Sequence, residues 1–134
     1  MKITVAGLGP GDIDYMLPVV KNALQKADVV IGYDYYFQFG ASLFKADAEL
    51  ISMPLGKEEA RAHKAIEKAN EDKYVVVIGS GDASIYAMAA IVYEVVSKEN
   101  HNDIELETLP GVSALSVIGL SLVPFPLNLI CKSL

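Results

Sequence analysis

Cysteine is nearly missing from this sequence: Cys131 is its one thiol. A lone cysteine cannot close a disulfide within the chain, so no covalent framework holds the fold, and a reduced, cytoplasmic setting is the default. Histidine is almost as scarce, with only His63 and His101. One thiol and two imidazoles cannot build a usual zinc site without carboxylates, and the sequence has no metal motif. Basic residues are also in deficit. The formal net charge of −6 argues against nucleic acid as a ligand, because a phosphate backbone needs a basic face. It leaves no polybasic patch for an anionic membrane either. The first residues hold no extended apolar core before Gly9, Pro10 and Asp12 interrupt the run, so no secretory signal is read there. Repeats and low-complexity stretches are absent.

What is present is apolar. The chain has 134 residues, the length of one domain, and is 52% hydrophobic with 21% charged residues. That exceeds the apolar content of an ordinary soluble domain. Either the strands are buried on both faces, or apolar surface is kept for a partner. From Leu109 to Cys131 no residue is charged, which is long enough to raise a membrane-spanning reading. Pro110, Gly111, Pro124 and Pro126, with Ser113, Ser116, Ser121 and Asn128, argue instead for a buried helix followed by a linker.

Five short runs rich in β-branched residues read as strands: Ile3–Ala6, Val29–Ile31, Leu50–Met53, Tyr74–Ile78 and Ile104–Thr108. Their unbroken apolar character suits burial on both faces of a parallel sheet. Helical stripes lie between them. Val20, Ala23, Leu24 and Ala27 share a face behind Pro18, which suits a first turn. Ala62, Ala65, Ile66 and Ala69 form a weaker stripe, and Ile85, Met88, Ala89, Val92 and Val96 a strong one. Residues 33–43 read as helical, Asn100–Asp103 as a polar turn, and Ser113 as the cap of a last helix reaching about Leu122. The alternation predicts an α/β domain of three layers, with a mostly parallel five-stranded sheet and right-handed crossovers.

A glycine-bearing loop follows every one of these strands. The five are Gly7–Asp12, Gly32–Tyr36, Pro54–Glu59, Gly79–Tyr86 and Leu109–Ala114. Strand-to-helix turns often need glycine for their backbone alone. Repetition at every strand points further, because the carboxyl ends of parallel strands share one edge, and open α/β folds bind ligands there. Gly7, Gly9 and Asp34 fit parts of a dinucleotide fingerprint, but Asp12 occupies its third glycine position and Pro10 removes an amide donor. A carboxylate there would repel a pyrophosphate. Gly56-Lys57 is followed by Glu58, so a P-loop is excluded as well. A ligand without phosphates fits better. S-adenosylmethionine is one, reached by backbone groups at Gly79, Gly81 and Gly111 and by the side chains of Asp82 and Ser113.

Three segments carry a resemblance. Gly7-Leu8-Gly9-Pro10-Gly11-Asp12 resembles the opening motif of the tetrapyrrole methylase family. Gly81-Asp82 with Ile85-Tyr86 resembles the family's second signature, and Pro110-Gly111-Val112-Ser113-Ala114 its third. Val30-Ile31-Gly32-Tyr33 with Tyr36, the run Gly56–Ala62 and the run Gly81–Ala89 are similar to the branch of precorrin-3B C(17)-methyltransferases of cobalamin synthesis. The resemblance implies the N-terminal domain of a two-domain fold with S-adenosylmethionine, or its product S-adenosylhomocysteine, held between the domains. It implies cofactor contacts at Gly79, Gly81, Asp82, Ile85, Tyr86, Ser113 and Ala114. It sets Gly9, Pro10, Gly11 and Asp12 toward the tetrapyrrole. In the C(17) branch, methyl transfer accompanies loss of a bridging carbon and contraction of the macrocycle.

An activated sulfonium needs alignment and exclusion of water more than a catalytic triad. A proton acceptor could assist, and Asp12 is the candidate on position alone; a turn-and-cap role is its ordinary alternative. Tyr33, Tyr35 and Tyr36 could line an aromatic ligand, with helix packing the expectation for at least one. Lys57 and Arg61 could meet substrate carboxylates, although a solvated helix start is the commoner role. His63 reads as a surface residue with no assigned partner. Residues 1–122 are expected to form the domain. Residues 123–134 depart from the family pattern and read as the start of a linker or an aberrant tail, with the second domain absent. Three functions remain open at this point. The chain is a methyltransferase half acting on a precorrin or cobalt-precorrin, a sister methylase with another substrate, or a non-catalytic module that pairs with a second copy through exposed apolar surface.

Overall fold

The computed structural model describes residues 1–82 and 88–113. Five strands form its centre: β1 (Lys2–Gly7), β2 (Val29–Gly32), β3 (Glu49–Ser52), β4 (Tyr74–Gly79) and β5 (Glu105–Leu109). Each covers the run expected from sequence to within a residue or two. Every pairing is parallel and the spatial order is β3-β2-β4-β1-β5. In register, Ile3 faces Val75, Val5 faces Val77 and Gly7 faces Gly79.

Side chains alternate across the sheet, and each face buries its own set. One face holds Ile3, Val5, Val29, Ile31, Val75 and Val77, covered by α3 (Glu58–Asn70) and α4 (Met88–Lys98). The other holds Ala6, Val30, Val76 and Ile78, covered by α1 (Pro18–Lys26) and aromatic residues near α2 (Phe37–Gly40). The result is three layers. Fully burying each of Val75, Val76 and Val77 contributes roughly 1.5–3 kcal/mol, an upper bound because the unfolded chain already hides some apolar surface.

The helices follow from their stripes. Pro18 opens α1, which buries Val20, Ala23 and Leu24. Glu58 and Glu59 sit in the first turn of α3 and Lys68 in its last, each favourable to the helix dipole. Beyond α3 and α4, Asp72 and Asn100 adopt φ of 61° and 59°, a left-handed conformation that short polar side chains tolerate. Residues 33–43 form two short pieces, a 3-10 turn at Asp34–Tyr36 and then α2, in place of one helix.

The expectation of burial on both faces holds for β1, β2 and β4 but not for the edges. Leu50 on β3 is half exposed, and the residues of β5 are only partly covered. Glu49, Glu105 and Glu107 lie on these edge strands, where charge discourages pairing with another chain. Among the described residues no helix is long and apolar enough to cross a membrane. Leu109, the first residue of the uncharged stretch, ends β5. The helix expected from Ser113 and the tail at 123–134 lie outside the described residues.

Candidate active site

The connections leaving the carboxyl ends of all five strands meet at one cavity of about 600 Å³, within the range of small-molecule sites. The first brings Gly9 and Pro10, the second Tyr35, Tyr36 and Phe39, and the third Leu55, Glu58 and Arg61. The fourth brings Gly79 to Asp82 together with Met88, and the fifth Ser113.

Register explains why they converge. Gly7 and Gly79 end adjacent strands side by side. The backbone then continues the pairing past the sheet. The Leu8 amide donates to the Gly79 carbonyl at 2.9 Å, and Gly9 and Gly81 form a small antiparallel bridge at 3.1 and 2.8 Å. The fifth connection wedges against this bridge. A Cβ built on Gly111 would stand 2.6 Å from the Gly7 carbonyl oxygen and closer still to that of Gly81, so only glycine fits there. Gly81 has the opposite environment. Its φ is +60° and no described atom lies within 4 Å of a built Cβ, so its bare backbone faces open space beside the cavity. Gly79 is similarly unobstructed.

One wall is aromatic. The ring of Tyr35 meets Phe39 edge-on at 5.3 Å and Tyr36 at 6.5 Å. Tyr33 packs edge-on against Tyr36 at 5.3 Å and is not among the described lining residues. Two of the three tyrosines thus line the cavity, and the third supports them. The Ser80 hydroxyl donates to the Tyr36 hydroxyl at 3.4 Å.

Polar residues divide differently from expectation. Gly9 and Pro10 line the cavity, whereas Gly11 and Asp12 are not among the described lining residues. Asp12 is exposed and caps the 3-10 turn Ile13–Tyr15, where its Oδ1 accepts the Asp14 amide at 2.9 Å. Asp82 and Ser113 line the cavity. Ile85, Tyr86 and Ala114 lie outside the described residues. Arg61 is not solvated: it is only 6% exposed. Its Nη2 donates to the Pro54 carbonyl at 2.7 Å, and the guanidinium lies 3.8 Å from Glu58. His63 is a surface residue, yet its Nδ1 lies 3.2 Å from Glu99.

Sequence reasoning passed over Phe39, Glu58 and Met88. Phe39 follows Tyr35 by one helical turn, a spacing that puts both on one side. Glu58 begins α3, next to a loop already singled out. Met88 shares the α4 stripe with core residues, and periodicity alone does not separate a core end from a cavity wall.

A concavity of about 510 Å³ at the other end of the sheet contrasts with this site. Its described lining has no glycine, and Lys2, Asp28 and Glu107 among its charges are held in ion pairs. The Lys2 ammonium lies 3.0 Å from Glu107, which holds the lysine above its ordinary value and the carboxyl below. Asp28 is held low by the Lys45 ammonium at 2.7 Å and by the Tyr74 amide. These groups lock strand starts together. Among the described residues no group of three His, Cys, Asp or Glu side chains could hold a metal ion.

Comparison with known proteins gives the arrangement a family. Residues 2–128 match the family of Tetrapyrrole (Corrin/Porphyrin) Methylases. A probable cobalt-factor III C(17)-methyltransferase of Salmonella typhimurium is 38% identical over 125 residues, which cover 93% of this chain and 51% of that protein. The cobalt-factor III methyltransferase of Priestia megaterium is 36% identical over 118 residues, 86% of this chain and 22% of that protein. Among solved structures, the methyltransferase CobJ superposes with a TM-score of 0.76 at 36% identity, covering 84% of this chain and 47% of that one. The chain thus spans about half or less of the length of these relatives. With the five-loop cavity, the parallel sheet order and a match over nearly its whole length, the chain belongs to the tetrapyrrole (corrin/porphyrin) methylases.

Proposed function

We propose that this chain is the N-terminal half of an S-adenosylmethionine-dependent methyltransferase of cobalamin biosynthesis, acting at C(17) of a precorrin or cobalt-precorrin with contraction of the ring. The observation that carries the reading is the laced pair of Gly9 and Gly81 with Gly111 packed against it. This frame presents bare backbone at Gly79 and Gly81 to an open cavity, a cradle that any Cβ would begin to fill. It suits a ligand held by amides and carbonyls.

The residues present fit the cofactor. Gly79, Gly81, Asp82 and Ser113 would hold it, with Ile85, Tyr86 and Ala114 proposed beside them from the family pattern. Bound there, it supplies a methyl group on a sulfonium, already activated for transfer. The chain's own work is positional. The laced loops fix the cradle, and the wall of Tyr35, Tyr36 and Phe39 offers an apolar surface that excludes water and suits a flat conjugated ring. Gly9, Pro10, Gly11 and Asp12 are proposed for the tetrapyrrole side. Asp12 is kept as the proton acceptor on position, with its Oδ1 engaged as a cap.

The proposed setting is the reduced cytoplasm, and the proposed assembly is a homodimer. Light scattering tests the latter; a monomer at all concentrations refutes it. Calorimetry with S-adenosylhomocysteine tests the main reading. Binding tighter than about millimolar, roughly 4 kcal/mol, supports it. Absence of heat and of any thermal stabilisation overturns the assignment of this cavity to the cofactor.

A further inference from the structure

We infer that Arg61 is a carboxylate anchor for the ligand of this cavity. The inference rests on the methylase reading and adds a ligand group to it. Arg61 occupies the first turns of α3 and is 94% buried by its 6% exposure. A guanidinium carries five N–H donors. Among the described residues one makes a hydrogen bond, from Nη2 to the Pro54 carbonyl at 2.7 Å. Glu58 forms an ion pair with it at 3.8 Å, beyond hydrogen-bond reach, and among the described residues the buried Nε has no hydrogen-bond partner. A buried charge with idle donors is costly to keep. Pinning Pro54 and the ion pair with Glu58 leave part of the guanidinium's donor set unused.

The charge around it supplies the reason. The cavity's described lining contains two carboxylates, Glu58 and Asp82, and one cation, Arg61. The chain as a whole is at −6. Among the described lining side chains, Arg61 is the one that attracts an anionic ligand group by charge. The planar fork of arginine matches a carboxylate with two parallel hydrogen bonds, which a lysine cannot copy. The ligand class is therefore a carboxylate. It can come from the amino-acid tail of S-adenosylmethionine or from a carboxylated side chain of the tetrapyrrole.

The test uses the chain itself, as wild type, Arg61→Gln and Arg61→Lys, each checked for native melting by circular dichroism. Three probes are titrated: S-adenosylhomocysteine, 5′-methylthioadenosine, which lacks the carboxylate, and uroporphyrin, a carboxylated porphyrin. Arg61→Gln is expected to weaken a carboxylate-bearing probe by about tenfold or more, the loss of a charged hydrogen bond, and to leave 5′-methylthioadenosine unchanged. Loss confined to S-adenosylhomocysteine assigns the carboxylate to the cofactor tail; loss confined to uroporphyrin assigns it to the substrate. A purely structural role would weaken all three probes alike, and that result overturns the proposal. So does equal affinity in folded variant and wild type. Should Arg61→Gln not fold, Arg61→Lys decides by the same comparison. If wild type binds none of the probes, the assignment of this cavity to cofactor and substrate falls together with the anchor; if wild type binds and only the selectivity is missing, the anchor alone falls.

Discussion

Gly111→Ala tests the frame of the site at one atom. The new Cβ would stand 2.6 Å from the Gly7 oxygen and 2.7 Å from the Gly7 carbon, and nearer still to the Gly81 oxygen. All three are backbone atoms of the paired loops, so no flexible side chain can yield. Relief requires the fifth connection to move out or the Gly9–Gly81 bridge to open. Overpacking of this kind costs about 1–3 kcal/mol. Opening the bridge forfeits two backbone hydrogen bonds, each about 1 kcal/mol net. Stiffening the unfolded chain by replacing glycine returns about 0.4–1 kcal/mol. The net expectation is a loss of about 2–4 kcal/mol. For a domain of this size that lowers the melting temperature by roughly 8–15 °C. Urea unfolding followed by circular dichroism measures it directly. A variant within about 0.5 kcal/mol of wild type would show that Gly111 does not sit against the bridge. The account of the cradle would then be wrong.

Gly79→Ala is the complementary change, since no described atom lies within 4 Å of its built Cβ. Stability is expected within about 1 kcal/mol of wild type, while S-adenosylhomocysteine affinity by calorimetry drops at least tenfold, about 1.4 kcal/mol; undiminished binding places the cofactor elsewhere. Asp28→Asn removes a carboxylate whose pKa is lowered first by the Lys45 hydrogen bond and then by the Tyr74 amide. A carboxyl held low when folded stabilises above its ordinary unfolded value, and that contribution fades as pH falls through the folded value. Because the pair is partly exposed, the variant is expected to be only about 1 kcal/mol less stable near pH 7. The two proteins converge as pH falls below the lowered folded value, and a gap independent of pH in urea titrations would refute the assignment. Asp12→Asn keeps an oxygen that accepts the Asp14 amide, so stability should change by less than about 0.5 kcal/mol. Methyl transfer to a cobalt-precorrin is expected to slow by about 10²-fold or more if its carboxylate takes the proton. An unaltered rate restricts Asp12 to the cap.

Local chemistry was readable at each strand. Runs such as Val29–Ile31 and Tyr74–Ile78 are β-branched and uninterrupted, and a chain of this composition has little else to do with them than to bury them in a parallel sheet. The glycines after them marked the edge where the cavity lies. The roles of Asp12 and Arg61 were less legible. Both lie within a motif and both are charged, and for each the sequence left a ligand role and an ordinary structural role open. In the fold Asp12 turns its carboxylate to its own loop, while α3 carries Arg61 under the third connection. Tyr33 and Tyr36 posed the same difficulty, because neighbouring aromatics in a broken helical segment point in directions set by its 3-10 turn.

By itself the sequence determined where the strands run, which stripe each helix buries, and that five glycine-bearing turns would share one edge. Those properties depend on neighbours within a few residues, where side-chain period and backbone freedom dominate. Only the tertiary structure decided the order β3-β2-β4-β1-β5. That order seats β1 beside β4 and so pairs Gly9 with Gly81 and wedges Gly111 between distant loops. It also decided that Arg61 is buried and Asp12 is not. Burial and close backbone approach are contacts between segments far apart in the chain, and no local pattern encodes them.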